Sequence, residues 1–377
     1  MKHLRYYIQL LLLSVLTLTG CEKSHFINNE ESGEIIIPTN GYIHFSPGKP
    51  STRATLVNDM KRNFGVMGYR WEYTNSNDVW NTVKVQAKPN VFYNQLVTYD
   101  ADANLHTYDA YPSDANQALV PWATGSKYTF FGYYPHTEES NGSIVLSGEN
   151  VEGTPYLTYT LPTPTSPANM LDVMTAALYN TDYKSSREVN LNFKHRLAAV
   201  DLQMVNMNAP LENGTEVYVQ ISNLKINFDN LKYNKANIYM DSDMALERTE
   251  ASNKKPSYTL SANAISVPPS TASSIHIIPS GNPLIIIPQE KDSDYLKGTI
   301  TFTLNYSNSN GDNLNNNQEL KNAKVQPGAH THTFNIGRDV LAGRKHIIQL
   351  TFTRDAVTVQ SIPPGEWEDK IIDTEFE

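Results

Sequence analysis

The 377-residue chain has a single cysteine, Cys21. One thiol cannot close a disulfide within the chain, and it cannot build a cysteine-based zinc site. Charge is scarce and does not lean positive. Charged residues are 18% of the total, with 30 Lys and Arg against 39 Asp and Glu, a formal net charge of −9. A surface of that sign carries no electrostatic footprint for nucleic acid. Beyond the first twenty residues no apolar run approaches the ~20 residues that a membrane-spanning helix needs. Helical spacing is confined to a stretch around Ala54 to Asn63. Gly-x-Ser-x-Gly, His-Glu-x-x-His and phosphate-loop motifs are all missing. The expectation is a protein that is not an enzyme and needs no cofactor.

What the chain does hold is 40% hydrophobic residues and 22 tyrosines, beside many Thr, Val and Ile. That composition can fill cores and suits pleated, half-buried surfaces. At this length two domains are the natural expectation.

The first twenty residues set the compartment. Lys2 and Arg5 precede an apolar run from Tyr6 to Leu18, and Leu18-Thr19-Gly20 lead into Cys21. A positive start, a short apolar stretch and small residues at its end read as a secretory signal. The four residues ending at Cys21 resemble a bacterial lipobox. The resemblance implies cleavage between Gly20 and Cys21 and acylation of the thiol, which would anchor the precursor in the outer membrane. Residues 1–20 are then the signal peptide.

The following residues, Glu22 to Pro38, are polar and acidic and read as a tether. Gly41-Tyr42-Ile43-His44-Phe45 can form a strand, which Ser46-Pro47-Gly48-Lys49-Pro50 should stop. From Phe64 onward strand signals recur at short intervals. They include Phe64 to Tyr69, Val83-Lys84-Val85, Val91 to Tyr93, Tyr128 to Tyr134, Tyr156 to Leu161 and Asp172 to Ala177. Tyr128-Thr-Phe-Phe-Gly-Tyr-Tyr134 is aromatic on both faces, as a strand buried on both sides would be. Further strands are expected at Val189 to Phe193, Leu197 to Val205, Val217 to Phe228, Leu284 to Ile287, Thr299 to Tyr306, His346 to Phe352 and Ala356 to Gln360. The Asn-rich segment from Asn305 to Asn317 reads as an exposed hairpin loop. Many short strands punctuated by Gly, Pro and Asn indicate an all-β fold of sandwich or barrel type with little helix. A boundary near Lys184 to Glu188 divides residues 54–186 from residues 187–377.

The titratable residues give no convincing site. His330 and His332 share one face of a strand, as two metal ligands can, but no third ligand flanks them, and they read as a strand start. His195, between Lys194 and Arg196, reads as the polar flank of a strand. Asp172 has no partner at a telling spacing and suits a loop or cap. Carboxylate pairs for glycoside hydrolysis meet only in a fold and stay open. Trp71, Tyr73 and Trp80, if exposed, would suit stacking on a sugar, though aromatics of β-rich chains mostly fill cores.

Several blocks in order resemble the fimbrillin family of Bacteroidetes pilus proteins. They are Thr52-Arg53-Ala54, Pro121-Trp122 leading to Tyr128 through Pro135, Asp172-Val-Met174, and Phe193-Lys-His195 with Leu197-Ala198. Leu284 to Gln289, Ala342 to His346 and Glu366-Trp367-Glu-Asp369 complete the set. The resemblance implies two transthyretin-like β-sandwich domains of Greek-key type and assembly into a type V pilus. It implies that an Arg-specific protease cuts Arg53–Ala54, so that residues 21–53 are a tether and leader lost on maturation. The strand Tyr42, Ile43, His44 and Phe45 would be displaced, and a strand from another pilus subunit would fill the groove. The last residues, with Trp367, Ile371, Ile372 and Phe376 as the apolar ones, would be the donor strand, although they are acidic and alternate poorly. The expected partners are therefore other fimbrillins, the protease, the outer membrane through the lipid anchor, and a host or bacterial surface ligand, with no nucleic acid. The rival reading is a surface-anchored glycan-binding lipoprotein of an outer-membrane uptake system.

Overall fold

A computed structural model of the chain describes residues 41–47, 61–102, 104–108, 119–162, 170–184, 188–241, 246–250, 257–261, 263–269, 276–277, 283–291 and 294–366. Gly20, Cys21, Arg53, Ala54, Trp367, Ile371, Ile372 and Phe376 lie outside the described residues, as does most of the helical pattern around Ala54.

The described residues are overwhelmingly extended. The first strands are β1 (Phe45–Pro47), β2 (Phe64–Glu72), β3 (Phe92–Asp100), β4 (Leu105–Thr107), β5 (Ser126–Tyr134), β6 (Ile144–Leu146), β7 (Tyr156–Thr160), β8 (Met174–Thr181), β9 (Val189–Leu191) and β10 (Lys194–His195). The later ones are β11 (Ala198–Asn206), β12 (Tyr218–Phe228), β13 (Tyr233–Tyr239), β14 (Leu246–Glu250), β15 (Ser257–Ser261), β16 (Ile265–Val267), β17 (His276–Ile277), β18 (Leu284–Ile286), β19 (Lys297–Ser307), β20 (Gly328–Asn335), β21 (Arg344–Phe352) and β22 (Val357–Glu366). Two single-turn α-helices interrupt them, α1 (Trp80–Val83) and α2 (Gln318–Lys321), with a 3-10 turn at Thr137–Glu139.

The N-terminal sheet runs β10-β8-β5-β2-β3-β4, and the separate parallel pair β1-β9 packs over it. β5 is its pivot, and its sequence explains why. Tyr128 and Phe130 point into a core shared with Phe45, Phe92 and Trp122, whereas Phe131 and Tyr133 point into a second core with Met67, Tyr69 and Trp80. A strand aromatic on both faces is thus buried on both, as its composition indicated.

The C-terminal half is a sandwich of two sheets, β17-β11-β21-β22 with β18 on β11, and β15-β12-β19-β20 with β16 on β12. Strict alternation in β19 turns Ile300, Phe302, Leu304 and Tyr306 inward, and all four are buried. The Phe302 ring meets Phe352 of the facing sheet edge-on at 5.8 Å. Pairing also crosses residue 187. β9 and β10 join β1 and β8, and β7 hydrogen-bonds β13 in the sheet β14-β13-β7-β6.

Three local expectations are corrected. Val83-Lys84-Val85 is not a strand. Trp80 to Val83 turns as α1, anchored by the buried Trp80, whose backbone N–H donates to Asn180 Oδ1 at 2.6 Å, and Val85 is left 69% exposed. The Asn-rich hairpin loop begins later than expected, because β19 continues through Ser307 and the connection to β20 includes α2. The first strand is shifted along the chain, running from Phe45 through Pro47, while Gly41 to His44 precede it with only an isolated bridge from Tyr42 to Pro121. Proline is tolerated there because only one side of that residue meets a neighbouring strand.

His346 on β21 is 1% exposed, and neither ring nitrogen has a hydrogen-bond partner among the described residues. Burial first, and then the positive charge of Arg338, hold its pKa down to about 4. The unfolded chain therefore binds a proton between pH 6.5 and 4 that the folded chain refuses. Stability should fall across that window as pH drops, by on the order of 3 kcal/mol, and then level off below it. Urea titrations of wild type and His346→Leu at pH 7 and pH 4.5 check this, since the variant should lose that part of the pH dependence.

Candidate functional site

The leader segment Gly41–Pro47 is seated in the N-terminal core like a wedge between two walls. Alternation does the seating. Gly41, Ile43 and Phe45 are buried, whereas Tyr42 and His44 face outward. Ile43 is 0% and Phe45 2% exposed. Of the four residues expected to form a displaceable strand, two are thus anchors and two are an outer face.

One wall is the segment from Leu119 to Trp122. The Ile43 N–H donates to the Val120 carbonyl at 2.8 Å, and the Trp122 N–H donates to the Gly41 carbonyl at 2.8 Å. Tyr42 bridges Pro121 in the antiparallel sense. The other wall is β9, distant in sequence and parallel to the leader. Phe45, Ser46 and Pro47 stand opposite Val189, Asn190 and Leu191. Here the Val189 N–H donates to the His44 carbonyl at 2.8 Å, and Ser46 Oγ donates to Asn190 Oδ1 at 2.7 Å. The leader is therefore bonded on both edges, to one wall through Gly41 and Ile43 and to the other from His44 onward.

The floor is the N-terminal sheet. The Phe45 ring stands edge-on to Phe92 at 5.4 Å, to Phe130 at 5.6 Å and to Tyr108 at 5.8 Å, an aromatic box on three sides. Edge-to-face contacts of this kind add about 0.5–1.5 kcal/mol to area burial. Tyr108 also clamps the backbone. Its hydroxyl donates to the Ile43 carbonyl at 3.0 Å and accepts from the Val120 N–H at 2.9 Å, so one side chain joins leader and wall. Trp122, 1% exposed, closes the end and stacks edge-on against Tyr128 at 4.9 Å. A glycine admits the second wall. A Cβ on Gly132 of β5 would stand 2.9 Å from both Leu191 and Phe193, so the bare backbone lets these side chains settle onto the sheet without being displaced.

The other sequence candidates do not converge on this groove. His195 is not a solvated flank. It is buried, and its Nδ1 lies 2.8 Å from Asp172 Oδ2, so Asp172 does have a partner. Beside them Arg196 is 1% exposed. It donates to Thr175 Oγ1 at 2.9 Å, to the Tyr239 carbonyl at 2.7 Å and to the Asp241 carbonyl at 3.1 Å. Burial lowers its pKa to about 10, against the opposing pull of Asp241. The arginine ties β8 to the end of β13, a structural tie between the two halves that no spacing in the sequence betrays. His330 and His332 stack on each other at 5.9 Å and on Phe302 at 5.5 and 5.7 Å, so the strand face they share is an aromatic stack. Among the described residues no group of three His, Cys, Asp or Glu is placed to hold a metal ion. Trp80 is core, not surface. Trp71 is half-buried, with its indole N–H donating to the Asp78 carbonyl at 2.8 Å, and exposed Tyr73 lies under Lys127 at 5.1 Å.

Comparison with known proteins bears on the family and the fold. A family model described as fimbrillin-like matches residues 52–367. The fimbrium subunit Fim1C of Phocaeicola vulgatus is 25% identical over 244 residues, which are 62% of this chain and 60% of that protein. The chain thus spans less than two thirds of that relative's length. A crystal structure of a fimbrial protein from Bacteroides vulgatus shares the fold, with a TM-score of 0.53 and 20% identity over 81% of this chain and 92% of that one.

Proposed function

Because the chain belongs to the fimbrillin-like family, we propose that it is a structural and adhesive subunit, stalk or tip, of a type V pilus, built by strand exchange at the leader groove. The observation that carries this reading is the seating of Gly41–Pro47. A segment near the N-terminus supplies two core side chains and is hydrogen-bonded on both edges, yet only residues 48–60 join it to the rest of the body.

A cut at Arg53–Ala54 would sever that connection. The leader would then change from a tethered strand, present at high effective concentration, to a free peptide that a competitor can outlast. Its departure would leave backbone groups along both walls unsatisfied, at ~1–3 kcal/mol for each buried group. Entry of a strand from a neighbouring subunit would restore those bonds and join the two chains. In this scheme Cys21 is the lipid attachment site that holds the precursor at the outer membrane until an Arg-specific protease releases the body for assembly on the cell surface. The chain has no catalytic part in it. The glycan-capturing alternative has less to rest on, since Trp80 is buried and the Trp71 indole N–H is already bonded.

Fimbriae sheared from cells test the scheme. The subunit recovered from them should begin at Ala54, and a form beginning at Cys21 inside assembled fimbriae would count against maturation by cleavage. Cys21→Ala should abolish incorporation of labelled fatty acid and leave the signal uncleaved. Labelling that persists in the variant would refute the lipid assignment.

A further inference from the structure

Resting on the strand-exchange reading of this groove, we infer that the groove accepts only a strand of the pattern small-x-aliphatic-x-aromatic, in the polarity of the leader, and that residues 367–377 of a second copy are therefore not its donor. Three features fix the pattern. The site of Gly41 is buried beside the Trp122 amide, which donates to its carbonyl. The site of Ile43 is fully enclosed. The site of Phe45 is an aromatic box whose three rings stand 5.4–5.8 Å away and leave an edge-on slot for a fourth. The positions between them face outward and place no demand on the side chain.

Polarity follows from the two walls. The leader runs antiparallel to residues 119–122 and parallel to β9, and an occupant of the same polarity recovers the bonds that the Val120 carbonyl and the Val189 N–H make to Ile43 and His44. Tyr108 adds a clamp that reads backbone alone, since its hydroxyl bonds the carbonyl at the middle position whatever residue stands there. Affinity thus comes partly from sequence-blind bonds, and choice comes from the buried pockets.

The tail of this chain lacks the pattern. Past Glu366 it reads Trp-Glu-Asp-Lys-Ile-Ile-Asp-Thr-Glu-Phe-Glu, and no two of its residues spaced two apart are both apolar. Every register, in either direction, would push Asp, Lys, Glu or Thr into one of the two large pockets. Burying an unpaired polar or charged group there opposes binding strongly. The groove and tail of one copy are therefore mismatched, which excludes a homopolymer built on them.

Peptide binding tests the inference. Wild-type chain cleaved at Arg53 is mixed with fluorescently labelled peptides, and fluorescence anisotropy reports binding. The peptides are residues 41–47, the same with Ile43→Asp or Phe45→Asp, the 41–47 sequence reversed, and residues 367–377. The 41–47 peptide should bind, each Asp variant at least 30-fold more weakly, and the reversed and tail peptides not measurably. Equal binding by the Asp variants, or tail binding as tight as that of 41–47, overturns the inference and leaves strand exchange standing. Failure of the 41–47 peptide itself shows that the groove does not open, which removes both.

Discussion

Phe45→Ala should destabilise the uncut chain by about 3–5 kcal/mol, measured by urea unfolding at neutral pH. The ring is buried against three other aromatic rings, so its removal costs the transfer term and leaves a cavity that a stiff aromatic box cannot close. Ile43→Ala belongs to the same class, at about 2–5 kcal/mol. Tyr42→Ala and His44→Ala, one position away on the outward face, should stay within about 0.5 kcal/mol of wild type. That contrast between adjacent positions is what a seated strand predicts. A leader that merely lay on the surface would show four small effects.

The second large effect concerns assembly. Arg53→Ala protein should remain monomeric in light scattering after exposure to an Arg-specific protease, whereas wild type given a strand of the leader pattern, fused to a second protein, should form stable complexes once cut. Complexes that form equally well without cleavage would mean that the leader does not guard the groove. The expected difference is all-or-none, because a tethered strand bonded along both edges outcompetes a free one at ordinary concentrations.

Much of this was legible in the residues. The apolar stretch Gly41 to Phe45 marks a segment that seats in the core, although the strand itself is Phe45–Pro47, and the double-faced aromatics of β5 mark the strand at the centre of the N-terminal sheet. What could not be read was pairing at long range. Val189-Asn-Leu191 announces a strand, but nothing in it says that its partner lies near residue 45 and runs parallel. Tyr108 stands outside any strand pattern, yet its hydroxyl joins leader and wall. Val83-Lys84-Val85 misled because three residues fit a period of two by chance, while the buried Trp80 and the Asn180 side chain fix a helical turn. His195 and Asp172 were judged singly, and only the fold brings them to 2.8 Å. Side chains that act by pairing across distant strands leave no local signal.

The central claim is that cleaved subunits join by replacement of the leader strand, and a reversible lock on that strand tests it most directly. Ser46 Oγ and Asn190 Oδ1 lie 2.7 Å apart on paired residues of adjacent strands, so S46C with N190C should close a disulfide between leader and wall. The double variant, oxidised and cut at Arg53, is followed by light scattering in the presence of the pattern-bearing donor before and after reductant is added. It should stay monomeric while locked and form complexes on reduction. Complexes that form just as fast with the disulfide intact would contradict strand replacement at this groove.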